Sequence, residues 1–340
     1  MLKLFQSIFR PGADKLGAYP EDLIERAIER AVDGTDRRLR AVSGYKKSLR
    51  PAVIHAIDHV VGLVDHLPAP LLLDRRNYGS DAELNAYFAS VDHMNEVLSR
   101  DAEMRKWQKS SESALAERVF ALLIMDMSER NVLGVALEGN ELRHDVAQVT
   151  VNFNKHRMVD PASAEDETRR LLKRRAFDHL LTLALASIAE AHGGRGDLKR
   201  ERDLLRSKQA ALASGNWGFG NDNNQTGSGT PPDPRELEQR IKDIDAQLSS
   251  LSTGTLQRHL DVLAEVLGAA EKNLRGESGT LSIDRQGVKQ SQSGSPTTPI
   301  TLTTLRNSAG RSVVIRLTSI ARADLPPPPD FLREAQRYLG

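Results

Sequence analysis

The sequence predicts a mainly α protein of the α+β type. Its predicted parts are a helical N-terminal bundle with a β-hairpin, an antiparallel coiled-coil helical hairpin and a small C-terminal β-hairpin. Three observations support this prediction. Aliphatic residues recur at three- and four-residue spacing over most of the chain, aromatic residues make up only 4% of it, and the two-residue alternation of strands is confined to short regions.

The composition bounds the class of protein. With 340 residues the chain is long enough for two or three compact units. Its 47 basic and 46 acidic residues leave a formal net charge of +1, so no overall field directs it to nucleic acid or anionic lipid. The absence of Cys excludes disulfides, thiolate metal ligands and a cysteine nucleophile, and it fits a reducing compartment. We therefore expect a cytoplasmic protein.

Residues 1–19 are predicted to form a separate N-terminal amphipathic segment. Pro11 and Gly12 stop its helical pattern. Docking on the protein's own core is the leading interpretation, and peripheral contact of residues 1–10 with a membrane is the alternative. The apolar residues that share one side of this segment are Leu2, Leu4, Phe5, Ile8 and Phe9.

Residues 20–160 are predicted to form a helical domain that ends in a β-hairpin. Helical periodicity runs from Pro20 to Gln108, and a further helix is expected over 112–131 because Asp126 is the only charged residue in its apolar core. The pattern then changes to alternation on both sides of Gly139-Asn140, which predicts a hairpin.

Residues 161–275 are predicted to form a helical stalk that includes the coiled-coil hairpin, closed by the loop 215–234. Asp160 and Pro161 have the form of a helix start, and the glycine-rich run 193–196 predicts a break. The returning arm carries the spacing of a coiled-coil seam at Leu237, Ile241, Ile244, Leu248 and Leu251.

The remaining residues are predicted to form a small β element, a linker and a closing turn. Residues 276–325 contain a polar stretch followed by two alternating runs, Ile300 and Leu302 and then Val313, Ile315 and Leu317, which predict a β-hairpin. Residues 326–340 begin with four prolines, which favour extended polyproline before a C-terminal helical turn.

Three histidines suggest a metal site. His55, His59 and His66 share one side of a predicted helix, and imidazole is a common zinc ligand. Apolar residues fill the rest of that helix, so the histidines are expected on its solvated stripe, without an enclosing second shell. We interpret them as an ordinary wet surface or a partner-contact surface, and we predict no metal site.

No local catalytic or cofactor-binding template is present. The chain lacks a phosphate-binding loop, a G-x-S-x-G elbow and an H-E-x-x-H helix. We therefore predict no catalytic residue and no cofactor, although a site assembled from distant segments leaves no local pattern. Two basic clusters, 37–50 and 169–175, follow acidic stretches and lack interleaved aromatic residues, which disfavours nucleic-acid binding.

Two aromatic residues lie in the predicted hairpin loop. Trp217 and Phe219 stand among Gly, Asn, Ser and Thr, and large aromatics on a loop tip are typical interface anchors. The competing interpretation is that they pack on Leu212 and Leu237 and only close the coiled coil.

These observations predict a non-enzymatic cytoplasmic interaction or scaffold protein whose helical hairpin contacts a protein partner. One alternative is an enzyme or small-ligand-binding protein with a dispersed site in the N-terminal domain. The other is a nucleic-acid-associated factor. Neither the identity of a partner nor the oligomeric state follows from the sequence.

Overall fold

The chain folds into two units, each assembled from segments that are distant in sequence. A computed structural model describes residues 19–138, 141–213, 234–252, 255–284, 286–289 and 298–327. Among these, residues 19, 56–177 and 269–327 form a first unit, here called the sheet unit. Residues 20–55 and 178–268 form a second, called the helical unit.

One sheet of six strands organises the sheet unit. The first strand, β1, pairs with β6 in parallel, while the others pair antiparallel in the order β3-β2-β6-β5-β4. Sequence-distant segments therefore become neighbours, because β2 pairs with β6 from Arg118 opposite Ala321 to Met125 opposite Val314. The strands are β1 Leu71–Leu72, β2 Arg118–Glu138, β3 Glu141–Ala162, β4 Leu274–Ile283, β5 Thr298–Asn307 and β6 Ser312–Ala321.

Four short helices precede β2, and a polar side chain begins each of them. Asp81, Ser90, Asp101 and Ser110 occupy the N-cap positions and accept hydrogen bonds from the first-turn N–H groups. Side-chain caps compensate for the few internal hydrogen bonds of such short helices. The helices are α3 Ala82–Tyr87, α4 Val91–Arg100, α5 Ala102–Gln108 and α6 Ser111–Leu115.

Both faces of the sheet are buried where β2 pairs with β6. Val119, Leu123 and Met125 of β2 belong to the apolar cluster that includes residues of α3, α4 and α5. Leu122 belongs to a second cluster, formed with the end of α2 (Tyr45–Asp65) and Leu172 of α7 (Glu165–Ala213). Successive side chains of β2 thus enter opposite layers, both of them apolar.

Helices are the only regular secondary structure in the described part of the helical unit. It contains α1 and the first half of α2, and α7 continues into it from Asp178. Arg30 pairs with Asp178, and His259 Nδ1–H donates a 2.9 Å hydrogen bond to the Asp36 carboxylate. The further helices are α1 Glu21–Gly34, α8 Pro234–Ser252 and α9 Thr255–Gly268, with a short 3-10 helix at Arg37–Ala41; α10, Ala270–Asn273, belongs to the sheet unit.

The predicted mainly α fold with two separate small hairpins is wrong. Of the described residues, 55% are helical and 28% are in strands, and the segments expected to form an N-terminal hairpin and a C-terminal hairpin lie in one sheet. The helix expected over 112–131 is instead mostly strand β2. An inner strand that is buried on both faces has a continuous apolar sequence, which periodicity cannot distinguish from a buried helix.

The predicted helical hairpin also requires correction. No break occurs at 193–196, because α7 is a continuous helix of 49 residues from Glu165 to Ala213. Each glycine costs roughly 1 kcal/mol in a helix interior, and a helix with well-formed segments on both sides tolerates that cost. Arg206 of α7 pairs with Asp245 of α8, but the loop that would close a hairpin lies outside the described residues.

The sequence-based domain boundaries remain predictions. Among the described residues, no helix is long and apolar enough to cross a membrane. The segment 1–10, for which peripheral membrane contact was the alternative interpretation, lies outside the described residues.

Candidate functional site

The hairpin of β2 and β3 continues beyond the rest of the sheet. β2 pairs with β6 only as far as Met125, whereas it pairs with β3 as far as Glu138 opposite Glu141. At about 3.3 Å per residue, the eight residues from Asn131 to Glu138 give about 26 Å of two-stranded β structure. Residues 126–138 and 141–154 are called the ribbon here.

One face of the ribbon continues the apolar core. Directly opposite residues share a face, which places Met127 with Phe153 and Leu133 with Ala147 on the same side. Phe153 and Val151 on this face are buried in the core cluster, whereas Leu133 is 72% exposed and Met127 is 39% exposed. The same face carries Glu129 opposite Val151 and Asn131 opposite Val149, so it is apolar along β3 and at Met127 and Leu133 of β2. It is called the ribbon face, and its outer end is open to solvent.

A short segment braces the root of the ribbon. The Val151 N–H donates to the Gly287 carbonyl at 2.8 Å, and the Lys289 N–H donates to the Val149 carbonyl at 2.7 Å. The Lys289 ammonium group also pairs with Glu129 at 2.8 Å. Beyond this point the described strands of the ribbon are hydrogen-bonded to each other and to no other strand.

Carboxylates protect the other end of β3. The Met158 N–H donates to Asp101, the Asp160 N–H donates to Glu103 and the Ser163 N–H donates to Glu112, at 2.8–3.0 Å. Edge strands expose unpaired N–H groups that invite another strand, and these side chains occupy such groups. The outer edge of β3 is therefore closed at its core end, from Met158 onward.

A cleft of about 550 Å³ lies between α4 and β3. A β-bulge opposite Met125 shifts the register of β3, and Lys155 adopts the left-handed conformation with φ 53°. Lys155, His156 and Arg157 are all in contact with this cleft. His156 shares the sheet face of Met158 and the short helices, whereas Arg157, directly opposite Ile124, shares the face of Val159 that packs on the end of α2 and on α7. The remaining lining residues are His93, Glu96, Val97, Arg100, Asp101 and Ala102.

The side-chain rings of His93 and His156 meet in the cleft. Their centroids are 4.9 Å apart in an edge-on arrangement, and the His156 ring stacks on Phe88 at 5.2 Å. His156 Nε2 must donate to the Tyr87 carbonyl at 2.6 Å, because a carbonyl only accepts. His93 Nδ1 accepts from the Ala89 N–H at 3.2 Å. Neutral His93 therefore presents Nε2–H as a donor, and neutral His156 presents Nδ1 as an acceptor.

The carboxylates in the cleft already have partners. Glu96 pairs with Arg100 at 2.7 Å, and the two oxygens of Asp101 accept from the Met104 and Met158 N–H groups. Burial lowers the pKa of His156, and the nearby His93 lowers it further, while the bond to the Tyr87 carbonyl opposes the shift.

The predicted partner-binding histidines have different environments. His55 is exposed on α2 in the helical unit, and exposed His66 follows the last residue of that helix. His59, in the sheet unit, donates from Nε2 to the Leu274 carbonyl at 2.6 Å, which engages that nitrogen. Trp217 and Phe219 lie outside the described residues.

The three histidines raise the question of a metal site, and the basic clusters 37–50 and 169–175 that of an anion-binding surface. Within the described ranges, no group of three or more His, Cys, Asp or Glu side chains could hold a metal ion. The basic clusters form internal ion pairs: Arg40 with Glu29, Arg50 with Glu21, and Arg175 with Asp160.

Sequence patterns did not reveal the cleft. His93 and His156 are 63 positions apart, and neither belongs to a motif. The ribbon lay within the predicted hairpin, but its open end could not be recognised before the neighbouring strands were known. No protein-family model, curated protein or solved structure matches the chain, so its function is inferred from its own residues.

Proposed function

We propose that this chain is an interaction or scaffold protein that contacts a protein partner through the ribbon face. The observation that carries the proposal is the large apolar side chain of Leu133, which is 72% exposed at the outer end of a face whose inner residues Val151 and Phe153 are buried in the core. This proposal moves the contact surface from the helical hairpin loop, expected from the sequence, to the β-ribbon.

The stability of β structure supports this proposal. A two-stranded ribbon on its own is at best marginally stable in water. Among the described strands, none pairs with either edge of the outer ribbon, whereas the N–H groups of Met158, Asp160 and Ser163 at the other end of β3 are occupied by Asp101, Glu103 and Glu112. A partner that packs on Leu133 and Met127 would bury the exposed apolar area.

Site-specific photo-crosslinking tests this proposal. We expect a benzophenone side chain at position 133, introduced into the full chain in its native cells, to crosslink to one distinct protein. The same group at Val132, the adjacent residue on the opposite face and 37% exposed, is the matched control and should give much less of that product.

Three results would overturn the proposal. They are no crosslink at 133, equal crosslinking from 132 and 133, or a product that contains only a second copy of this chain. In a separate pull-down without the crosslinker, L133E should no longer capture the partner that position 133 identified. Its unfolding midpoint should be nearly unchanged, because Leu133 is 72% exposed.

The His93–His156 cleft favours a second candidate function, binding of a small ligand by the sheet unit. Its volume of about 550 Å³ lies within the range of small-molecule sites. Internal pairing of the basic clusters gives no corresponding support to nucleic-acid binding.

A further inference from the structure

We propose that the ribbon binds B-form DNA by placing the side opposite the ribbon face in the major groove. This function goes beyond the protein contact proposed above and does not depend on it, because successive side chains of a strand point to opposite faces. The inference is based on the side chains that share this second face, on the charge at its base and on the shape of a two-stranded ribbon.

The second face of the ribbon is mostly polar, and it is called the polar face here. Residues directly opposite each other share a face, and the pairs of the polar face alternate with those of the ribbon face. Apart from one carboxylate and one valine, its side chains carry a guanidinium group, amides and hydroxyls. From the core outward, the pairs are Asp126 with Asn154, Ser128 with Asn152, Arg130 with Thr150, and Val132 with Gln148.

Positive charge is concentrated at the base of the polar face. Lys155 pairs with Asp126 at 2.9 Å and lowers the pKa of that carboxyl, and the nearby charges of Arg311 and Arg157 lower it further. Three cations therefore surround one carboxylate, which leaves a net charge of +2. The cations come from β3 and from the turn before β6, and none belongs to the internally paired basic clusters 37–50 and 169–175.

Several polar side chains of this surface are exposed and lack a partner among the described residues. Their guanidinium and amide groups form no hydrogen bond or ion pair within the part of the chain that the structure describes. The two hydroxyls of the polar face, by contrast, donate to backbone carbonyls of the ribbon at 3.3 and 3.4 Å. The exposed residues are Arg130, Asn152, Asn154, Arg157 and Arg311.

The chemistry of these groups favours DNA over an acidic protein segment. A net positive surface attracts either anion, but an acidic segment presents carboxylates, for which cations alone are sufficient. Arginine and asparagine are also the side chains that form paired hydrogen bonds with guanine and adenine in the major groove. Exposed amides next to arginine on one face therefore match base edges beside a phosphate backbone.

The shape of the ribbon agrees with this ligand. The major groove of B-form DNA is about 12 Å wide and admits a two-stranded β-ribbon. The outer part of the ribbon pairs with no other described strand, and its length of about 26 Å exceeds the groove depth of about 8.5 Å. The pairs named above include no aromatic residue for stacking on a single strand, and the major groove of an RNA duplex is too narrow for side chains to read.

The two ends of the polar face would contact different parts of the DNA. Arg130 and Asn152 lie outward along the ribbon and would meet base edges, whereas Arg157 and Arg311 at its base would meet phosphates of the groove wall. Arg130 is four residues from Asp126, which corresponds to about 13 Å along an extended strand.

Fluorescence anisotropy of the full chain with labelled DNA tests the proposal. The probe is a mixed-sequence duplex of about 20 base pairs, roughly two helical turns, titrated at several salt concentrations. We expect saturable binding with a Kd of about 1–100 μM near physiological salt, and an affinity that falls with salt with a logarithmic slope of about −3. Arg157→Gln should weaken binding about threefold to tenfold and reduce the slope by about 1, because one phosphate contact is lost.

A matched substitution separates this surface from general attraction to DNA. Arg75→Gln removes an exposed arginine of the same unit, in the turn after β1, and β1 pairs with the end of β6 that is remote from Arg311. This variant should keep the wild-type affinity and slope. Equal weakening by both substitutions would overturn the proposal, as would the absence of saturable binding or an affinity that does not depend on salt.

Three competitors distinguish B-form DNA from other anions. They are single-stranded DNA, an RNA duplex of the same length and poly-glutamate of matched charge. Each should compete about tenfold less well than the unlabelled duplex. Equal competition by poly-glutamate would overturn the choice of DNA in favour of an acidic protein segment, and equal competition by single-stranded DNA or the RNA duplex would overturn the groove assignment.

Photo-crosslinking of the purified full chain to the duplex tests which face contacts DNA. A benzophenone side chain at position 132 should crosslink to the DNA, whereas the same group at position 133, on the ribbon face, should give much less product. Equal crosslinking from both positions would overturn the orientation. Because the protein partner is expected at 133 and the DNA at 132, failure of one proposal leaves the other measurable.

Discussion

The two ends of strand β3 differ in how their outer edge is treated. Near the core, the backbone N–H groups of Met158, Asp160 and Ser163 each donate to a carboxylate. In the ribbon beyond Val149, β3 is hydrogen-bonded to β2 and to no other described strand. Occupied N–H groups prevent pairing with another strand, so the contrast shows that β3 is closed at its core end and less restrained at its outer end.

The largest expected effect comes from one substitution made at both ends of β2. Leu123→Ala should lower the free energy of unfolding by about 2–5 kcal/mol, because Leu123 is fully buried in the core. Leu133→Ala should change it by less than about 0.5 kcal/mol, because Leu133 is 72% exposed. Urea unfolding measures both, and similar losses would show that the ribbon face is packed in solution.

A smaller loss is expected from Asp101→Ala. This carboxylate caps α5 through the Met104 N–H and closes the edge of β3 through the Met158 N–H. Removing it should lower the free energy of unfolding by about 1–3 kcal/mol, because two N–H groups lose a charged acceptor. Hydrogen exchange at Met158 should become faster, and an unchanged exchange rate would contradict the closed edge.

A pH-dependent effect is expected from His156. Its pKa is lowered in the folded state mainly by burial, so the unfolded chain binds the proton more readily. Stability should therefore be unaffected above the ordinary histidine pKa of 6.5, and it should fall as the pH drops below that value towards the folded pKa. Urea midpoints at pH 7.5 and pH 5 measure this loss.

The variant His156→Gln isolates that contribution. It should reduce the loss of stability between the two pH values, because the group that titrates differently in the two states has been removed. His179, whose pKa is also lowered by burial, provides a comparison in the helical unit. A wild-type pH dependence in His156→Gln would contradict the assignment.

The smallest effect is expected at the brace of the ribbon. The Lys289–Glu129 ion pair is exposed on both sides, at 44% and 42%, so Lys289→Ala should change the free energy of unfolding by less than about 0.5 kcal/mol. The backbone bonds from Val149 and Val151 should still hold the segment. A large loss would show that the charged pair, and not the backbone, fixes the root of the ribbon.

The sequence by itself determined several features of the protein. The antiparallel pairing of β2 with β3 follows from local patterns. Such features depend on residues that are close in sequence, so they can be predicted from the sequence alone. The absence of Cys likewise excludes disulfides and thiolate chemistry without reference to a structure. The helix start predicted at Asp160 and Pro161 is wrong, because both residues belong to β3 and α7 begins at Glu165.

Only the tertiary structure decided the remaining features. Val119 to Met125 could be helix or strand until the two layers that bury them were known. The open end at Leu133 depends on where β6 stops, and the cleft depends on a bulge that brings His156 next to His93. Pairing between distant segments is set by burial and register, and these leave no periodic pattern within either segment.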